Sequence, residues 1–292
     1  MKWMGSGGMS FFLRSLKLRR LITSAVVIVA VGFAYPAWRH FYPVTSTNGW
    51  DYKVIHKIPM VSALAVDDQG ALFVSQEFSN HKGKILRLQK DGSSEEIMAE
   101  LSKPDGHIFF RGGLVTGQEG GSFPVLWLRD GVKQALFKAD NVEGIATDGH
   151  FLFAIEDKTP GRLLRFEPDT QQLTVLRAGL DEGEGVSVCP DGRLFYTEKA
   201  KGWVKQWQFQ GEDLILVKDL NAPGFVQCTE DGLWITEDAT HMARLLLVDP
   251  SGNLHVILNH LRAAQTIIQL KTGQYLLAEQ GRSRILELKR TD

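Results

Sequence analysis

Along most of the chain, apolar and polar residues alternate in short bursts, without the spacing that would put one apolar face on a helix. The clearest burst is EGVSVCPDGRLFYTE at 184–198, which reads as a strand, a Pro-Asp-Gly turn and a second strand. Pro190 pre-sets φ, and Asp191 and Gly192 supply the turn chemistry. The flanking Val, Leu, Phe, Tyr and Thr suit a pleated, half-buried surface. The pattern recurs. Aligning each copy on the residue before the small residue that heads its first strand gives Ser62, Asp105, Glu143, Glu184, Pro223 and Gln265, at intervals of 43, 38, 41, 39 and 42 residues. Glycines follow at Gly70, Gly113, Gly149, Gly192, Gly232 and Gly273. Each next strand ends in Gln76, Gln118, Glu156, Glu198, Glu237 or Glu279. Six copies of about forty residues, each with room for four short strands, predict an all-β fold, a six-bladed β-propeller.

The N-terminus breaks this rhythm. Residues 1–20 carry Lys2, Arg14, Lys17, Arg19 and Arg20 and no acid, and the apolar run LITSAVVIVAVGFAYPAW fills 21–38. That length is at the short end for a transmembrane helix. A single-pass signal anchor would keep the basic 1–20 segment cytoplasmic and place the propeller on the periplasmic or luminal side. The alternative is a signal peptide cleaved near Gly32-Phe33-Ala34, which leaves a secreted domain. Either route exports the propeller. Residues 39–50 read as a linker and 51–292 as the propeller. The sixth copy shows only three strands, 267–270, 275–279 and 284–290, so strand 52–58 is expected to join the last blade and close the ring, removing its open edges.

Composition changes this picture little. The chain has 292 residues, 43% hydrophobic and 23% charged, enough to bury a sizeable core, and its net charge of −1 gives no reason to expect a nucleic-acid partner. Cys189 and Cys228 each lie five residues after an anchor, in adjacent copies. Equivalent points on neighbouring blades are expected to exceed the roughly 4.4–6.8 Å between Cα atoms that a disulfide needs, which predicts two buried free thiols.

The repeat does place chemistry. In an antiparallel pair the start of the first strand and the end of the second share an edge, so the anchors and strand-ending residues must collect on one face around the channel. That set includes Asp105, Glu143, Glu184, Glu156, Glu198, Glu237 and Glu279, and adjacent loops add Asp157, Asp181, Glu182 and Asp238. Converging carboxylates raise one another's pKa unless a cation sits among them. Acids that end blade strands have a second reading, as hydrogen-bond partners of loop backbone or of the next blade. Glu143 and Glu184, which begin inner strands, are the leading candidates. His107, two residues past Asp105, is a candidate general base, and His81, His241 and His260 fall in loops. Arg111 and Arg244 are placed to pair with these carboxylates or with a substrate anion. There is no metal-binding His pair, phosphate-cradling glycine loop, Gly-x-Ser-x-Gly elbow or CxxC spacing.

The repeats PDGHIFF (104–110), EGVSVCPDGRLFYTE (184–198) and PGFVQCTEDGLWITE (223–237) resemble those of the gluconolactonase/regucalcin and strictosidine synthase-like six-bladed propellers, over about 50–292. The lactonase resemblance implies a divalent cation, usually calcium, in the channel, held by a Glu from the first blade, Asn from the third and fourth and an Asp from the fifth. The matching positions are Ser62, Glu143, Glu184 and Pro223. Glu143 and Glu184 can ligate through oxygen, Pro223 offers no side-chain donor, and Asp105 and Glu237 are the carboxylates available to compensate. The strictosidine synthase-like branch implies a channel glutamate working without metal, here Glu184 or Glu237. Three functions follow. One is a hydrolase of a small-molecule lactone or ester, with a cation polarising the carbonyl and Glu184, Glu237 or His107 moving protons. Another is a binding propeller presenting its loops to a membrane or periplasmic protein or a glycan. The third is metal-free acid/base chemistry.

Overall fold

The computed structural model describes residues 7–47, 49–89 and 91–291, and within the N-terminal helix the side chains of 18–38. It divides into two compact units, 1–43 and 44–292. The first holds one α-helix, Gly7–Phe41, in which Leu18–Trp38 forms a 21-residue stretch of mean hydropathy 1.9. Such a helix is long and apolar enough for a membrane anchor or a signal sequence. Residues 1–6 of the basic segment lie outside the described residues.

The second unit is six antiparallel sheets. The first four blades are each a four-stranded meander, running from the inner strands Val61–Val66, His107–Phe110, Val142–Thr147 and Gly183–Val188 to the outer strands Ser94–Leu101, Val132–Asp140, Gln172–Leu180 and Leu214–Val217. The fifth blade begins at Pro223–Thr229 and ends at Leu254–Leu261, and the sixth begins at Ala264–Lys271. Inner and second strands are buried along nearly their whole length, because both of their faces meet neighbouring blades. This is why they read as near-continuous apolar runs, whereas outer strands such as Gln172–Leu180 and Leu214–Val217 are largely exposed. The Asp-Gly turns hold their glycines at positive φ, +84° at Gly192, where a side chain would be strained.

The ring closes through its termini. Trp50–Lys57 pairs antiparallel with Arg284–Arg290 and forms the outer strand of the sixth blade. Within 39–50, read from sequence as a linker, the described residues include regular structure. The helix runs to Phe41, and Thr45–Ser46 pairs with Asn259 and Leu258 as a fifth strand on the fifth blade. Val44 and Trp50 are buried in the largest apolar cluster. The physical reason is Trp50, whose ring lies edge-on to Trp234 at 5.3 Å between centroids and beside Tyr275 at 5.9 Å, at the seam between blades five and six.

Two expectations are corrected by strand register. Pro223 pairs with Glu237 as Val142 pairs with Glu156 and Gly183 with Glu198, so the fifth-blade counterpart of Glu143 and Glu184 is Gly224, one residue later than Pro223. Cys189 and Cys228 form a disulfide, with Cα atoms 5.2 Å apart, and are not free thiols. In the corrected register Cys228 is in step with Val188. The inner strands of blades four and five also run close together here, with the Cys228 N–H donating to Ser187 Oγ at 3.0 Å.

Candidate functional site: an acidic channel mouth

Each inner strand except that of the second blade starts with a register irregularity, and the anchor residue sits within it. The small residue after the anchor is a packing requirement. A Cβ on Gly144 would come 2.5 Å from the Glu184 carbonyl oxygen, and one on Gly185 would come 2.5 Å from that of Gly224. The blades meet backbone to backbone at the throat, and the anchor side chains are left to line it.

Three concentric sets result. The anchors are Ser62, Asp105, Glu143, Glu184, Gly224 and Gln265, and all the polar side chains among them are buried. The carboxyls of Asp105, Glu143 and Glu184 are brought together, close enough to act on one another electrostatically. Burial pushes all three well above the ordinary carboxyl range. For Glu143 the charges of Glu184, Asp105 and Asp157 add to this, and for Asp105 those of Glu77, Glu119, Glu184 and Asp238. Ser62 Oγ donates to Asp105 Oδ1.

The strand-ending acids turn away from the channel and brace their own blades. Glu237 accepts from Arg244 Nε at 2.9 Å and from the Asn221 N–H at 2.8 Å. Glu156 does the same with Arg162 Nε at 2.7 Å and the Asp140 N–H at 2.9 Å. Glu198 pairs with Lys205 at 2.5 Å, and Glu279 with Arg284 at 2.5 Å. In each of these four blades the carboxylate ties the second strand to the third and to the loop entering the first. Arg244 is thereby committed to Glu237, and Arg111 pairs with Asp169, away from the acids of the mouth.

The third set, one residue beyond each strand end, is the mouth itself: Glu77, Glu119, Asp157, Lys199, Asp238 and Gln280. Glu77, Glu119 and Lys199 were not singled out from sequence, although the same repeat, advanced by one residue, marks all of them. Lys103 joins this set from the loop between blades one and two. It contacts Glu77 at 3.0 Å and donates to Glu119. Oxygens of Glu77, Asp105 and Glu119 converge within 4.8 Å, an all-oxygen donor set that can hold a hard divalent cation. Across the channel, Lys199 Nζ lies 2.9 Å from Glu184 Oε1 and 2.5 Å from Asp238 Oδ2. Burial opposes its charge, but Glu184, Asp238 and Glu143 outweigh this and hold the ammonium above the ordinary lysine range.

His107 lies deeper in the channel. It lines a cavity of about 320 Å³ with Leu64, Phe109, Val226 and Ile267, and none of the mouth acids lines this cavity. Its Nε2 is 3.3 Å from the Phe73 carbonyl oxygen, which fixes the proton on Nε2, and burial lowers its pKa to about 4. His107 is therefore a neutral imidazole set apart from the carboxyl cluster.

Six blades around such a channel define the class of protein, a six-bladed β-propeller. Structural neighbours are gluconolactonase-like propellers. A gluconolactonase of Xanthomonas campestris superimposes with a TM-score of 0.68 at 12% identity, over 85% of this chain and 98% of that one. A putative gluconolactonase superimposes at 0.65 and 12%, over 84% and 94%. An auxiliary nutrient-binding protein of Bacteroides thetaiotaomicron does so at 0.65 and 13%, over 81% and 70%. At these identities the likeness is one of fold. No family model and no curated protein matches the chain.

Proposed function

We propose that the chain is an exported hydrolase that opens a small lactone or ester at the acidic mouth. The observation that carries this reading is the convergence of Glu77, Asp105 and Glu119 beside two fully buried carboxyls, Glu143 and Glu184. The first three would hold a hard divalent cation, calcium being the natural choice for carboxylate ligands. Such an ion supplies Lewis acidity toward a carbonyl oxygen. Glu184, whose pKa burial raises although the Lys199 ammonium opposes the rise, would serve as the proton donor to the leaving oxygen, with Glu143, raised by burial and by its acidic neighbours, beside it. Lys199 would attract the carboxylate that ring opening generates. Glu237 and His107 take no part, the one being committed to Arg244 and the other neutral and apart. The gluconolactonase neighbours support this substrate class.

Export is supported by the apolar helix and by the Cys189–Cys228 disulfide, since disulfides persist in oxidising compartments. The basic residues before the helix favour a cytoplasmic N-terminus and a propeller on the periplasmic or luminal side. A second reading, a binding propeller, is favoured by one observation. Gly224 removes the fifth-blade ligand position, as the presence of a nutrient-binding neighbour would allow. The test is a pH-stat assay of the full chain in detergent over a panel of lactones and esters, with and without calcium. Glu184→Gln should lower turnover by roughly 10²–10⁴-fold, the usual weight of a general acid. A folded protein that turns over no member of the panel supports the binding reading instead.

A further inference from the structure

Beyond the anchors the channel changes chemistry. Two residues past them lie Leu64, His107, Ile145, Val186, Val226 and Ile267, one from each blade. Strand pairing puts them at one level, because each pairs with the residue two before its strand-ending Gln or Glu. Thus His107 pairs with Thr116, Ile145 with Ala154 and Val226 with Ile235. All six line the cavity of about 320 Å³. Five of them are aliphatic, and among the described residues no Asp, Glu, Lys or Arg lines this cavity. The walls are buried at the level of His107 and Val226 and become half-exposed toward the far strand ends, at Val66, Phe109, Gln227 and Gln269. The cavity therefore opens on the face opposite the acidic mouth. His107 breaks the apolar ring. It is buried, its Nε2 is 3.3 Å from the Phe73 carbonyl oxygen on blade one, and its Nδ1 has no hydrogen-bond partner among the described residues. With the proton on Nε2, Nδ1 is a lone-pair acceptor. A buried acceptor left without a donor opposes folding, and a sixth aliphatic side chain at this level would avoid that.

We propose that this cavity is a second binding site, for an uncharged and mainly apolar molecule whose one hydroxyl donates to His107 Nδ1. The proposal stands apart from hydrolysis and from any cation at the mouth. An ionic group would leave water here with no counter-charge to meet it, whereas an apolar body with a single donor matches the aliphatic walls and the lone acceptor. The volume is about twice the roughly 150 Å³ that admits a benzene ring, so two fused rings fit. His107 supplies the direction of binding, and the five aliphatic residues around it supply the contact area.

The experiment is a calorimetric titration of the full chain in detergent with 2-naphthol, the heat of empty micelles being subtracted. One molecule should bind per chain. 2-Methoxynaphthalene, which keeps the rings and lacks the donor, should bind at least about fivefold more weakly. 2-Naphthoate should not compete. His107→Leu should still bind both neutral compounds but lose the preference between them. Val226→Phe, which fills the cavity at the same level, should bind neither. Glu77→Gln, at the mouth, should leave the binding of 2-naphthol unchanged. A wild type that takes up neither compound, or takes up both equally, overturns the proposal. So does a preference that survives His107→Leu, binding that survives Val226→Phe, or binding that weakens in Glu77→Gln. If His107→Leu does not fold, the preference of the wild type and the loss in Val226→Phe decide. If neither variant folds, the wild-type preference and its indifference to Glu77→Gln decide.

Discussion

Arg244 directs its guanidinium at Glu237, with Nε 2.9 Å from Oε2, and the carboxylate it meets is fully buried. The same pairing recurs as Arg162 with Glu156, Lys205 with Glu198 and Arg284 with Glu279. A motif that looks like an array of channel acids is thus largely a set of internal braces. Glu237→Gln should destabilise the propeller by about 2–3 kcal/mol, less than the roughly 3–5 of a fully buried pair because Arg244 is partly exposed. Urea unfolding followed by tryptophan fluorescence measures this. Turnover per folded molecule should be unaffected, in contrast to Glu184→Gln.

The Cys189–Cys228 bond joins blades four and five across 39 residues of chain. Cys228→Ser, or reduction, should cost about 2–4 kcal/mol by releasing the unfolded chain from a loop of that size. Paired denaturant melts with and without reductant read the effect, and the variant's own melt should be insensitive to reductant.

Ring closure depends on the contact between Trp50–Lys57 and Arg284–Arg290. Removing either strand exposes a sheet edge and takes Trp50, or Leu286 and Leu288, out of the apolar cluster they share with Trp234, Tyr275 and Leu277. Deletion of 284–290 should abolish cooperative unfolding of the entire propeller, beyond any loosening of blade six. Calorimetry of the truncated chain should show no single transition.

Glu143 and Glu184 bind their protons more tightly in the fold than at their ordinary value of 4.5. Their stabilising effect is complete below that pH and is lost as pH rises through the raised folded values. His107 acts in the opposite sense, since its pKa falls from 6.5 to about 4 and stability is lost as pH drops between those values. Glu143→Gln should therefore gain stability relative to wild type as pH rises from about 5 to about 8. Melting temperatures across that range, taken in chelator, test this. An unchanged difference between the two proteins would show that Glu143 ionises freely.

The repeat period, the turn glycines and the alternating strands made six blades legible from the residues alone, because hairpin chemistry and strand burial are local. The same period brought Asp105, Glu143 and Glu184 to one end of the channel, since every copy enters its blade at the same edge. Register at the fifth blade was less legible. Pro223 and Gly224 are both small, and only the pairing of Pro223 with Glu237 distinguishes their positions. That single-residue shift also concealed the disulfide, whose geometry depends on how closely two inner strands approach. What tertiary structure alone decided is where each carboxylate finds its partner. Glu237 and Glu184 carry the same side chain at the same edge. Glu237 is claimed by an arginine on its own sheet, whereas Glu184 faces the channel, where Lys199 reaches it from the end of the next strand.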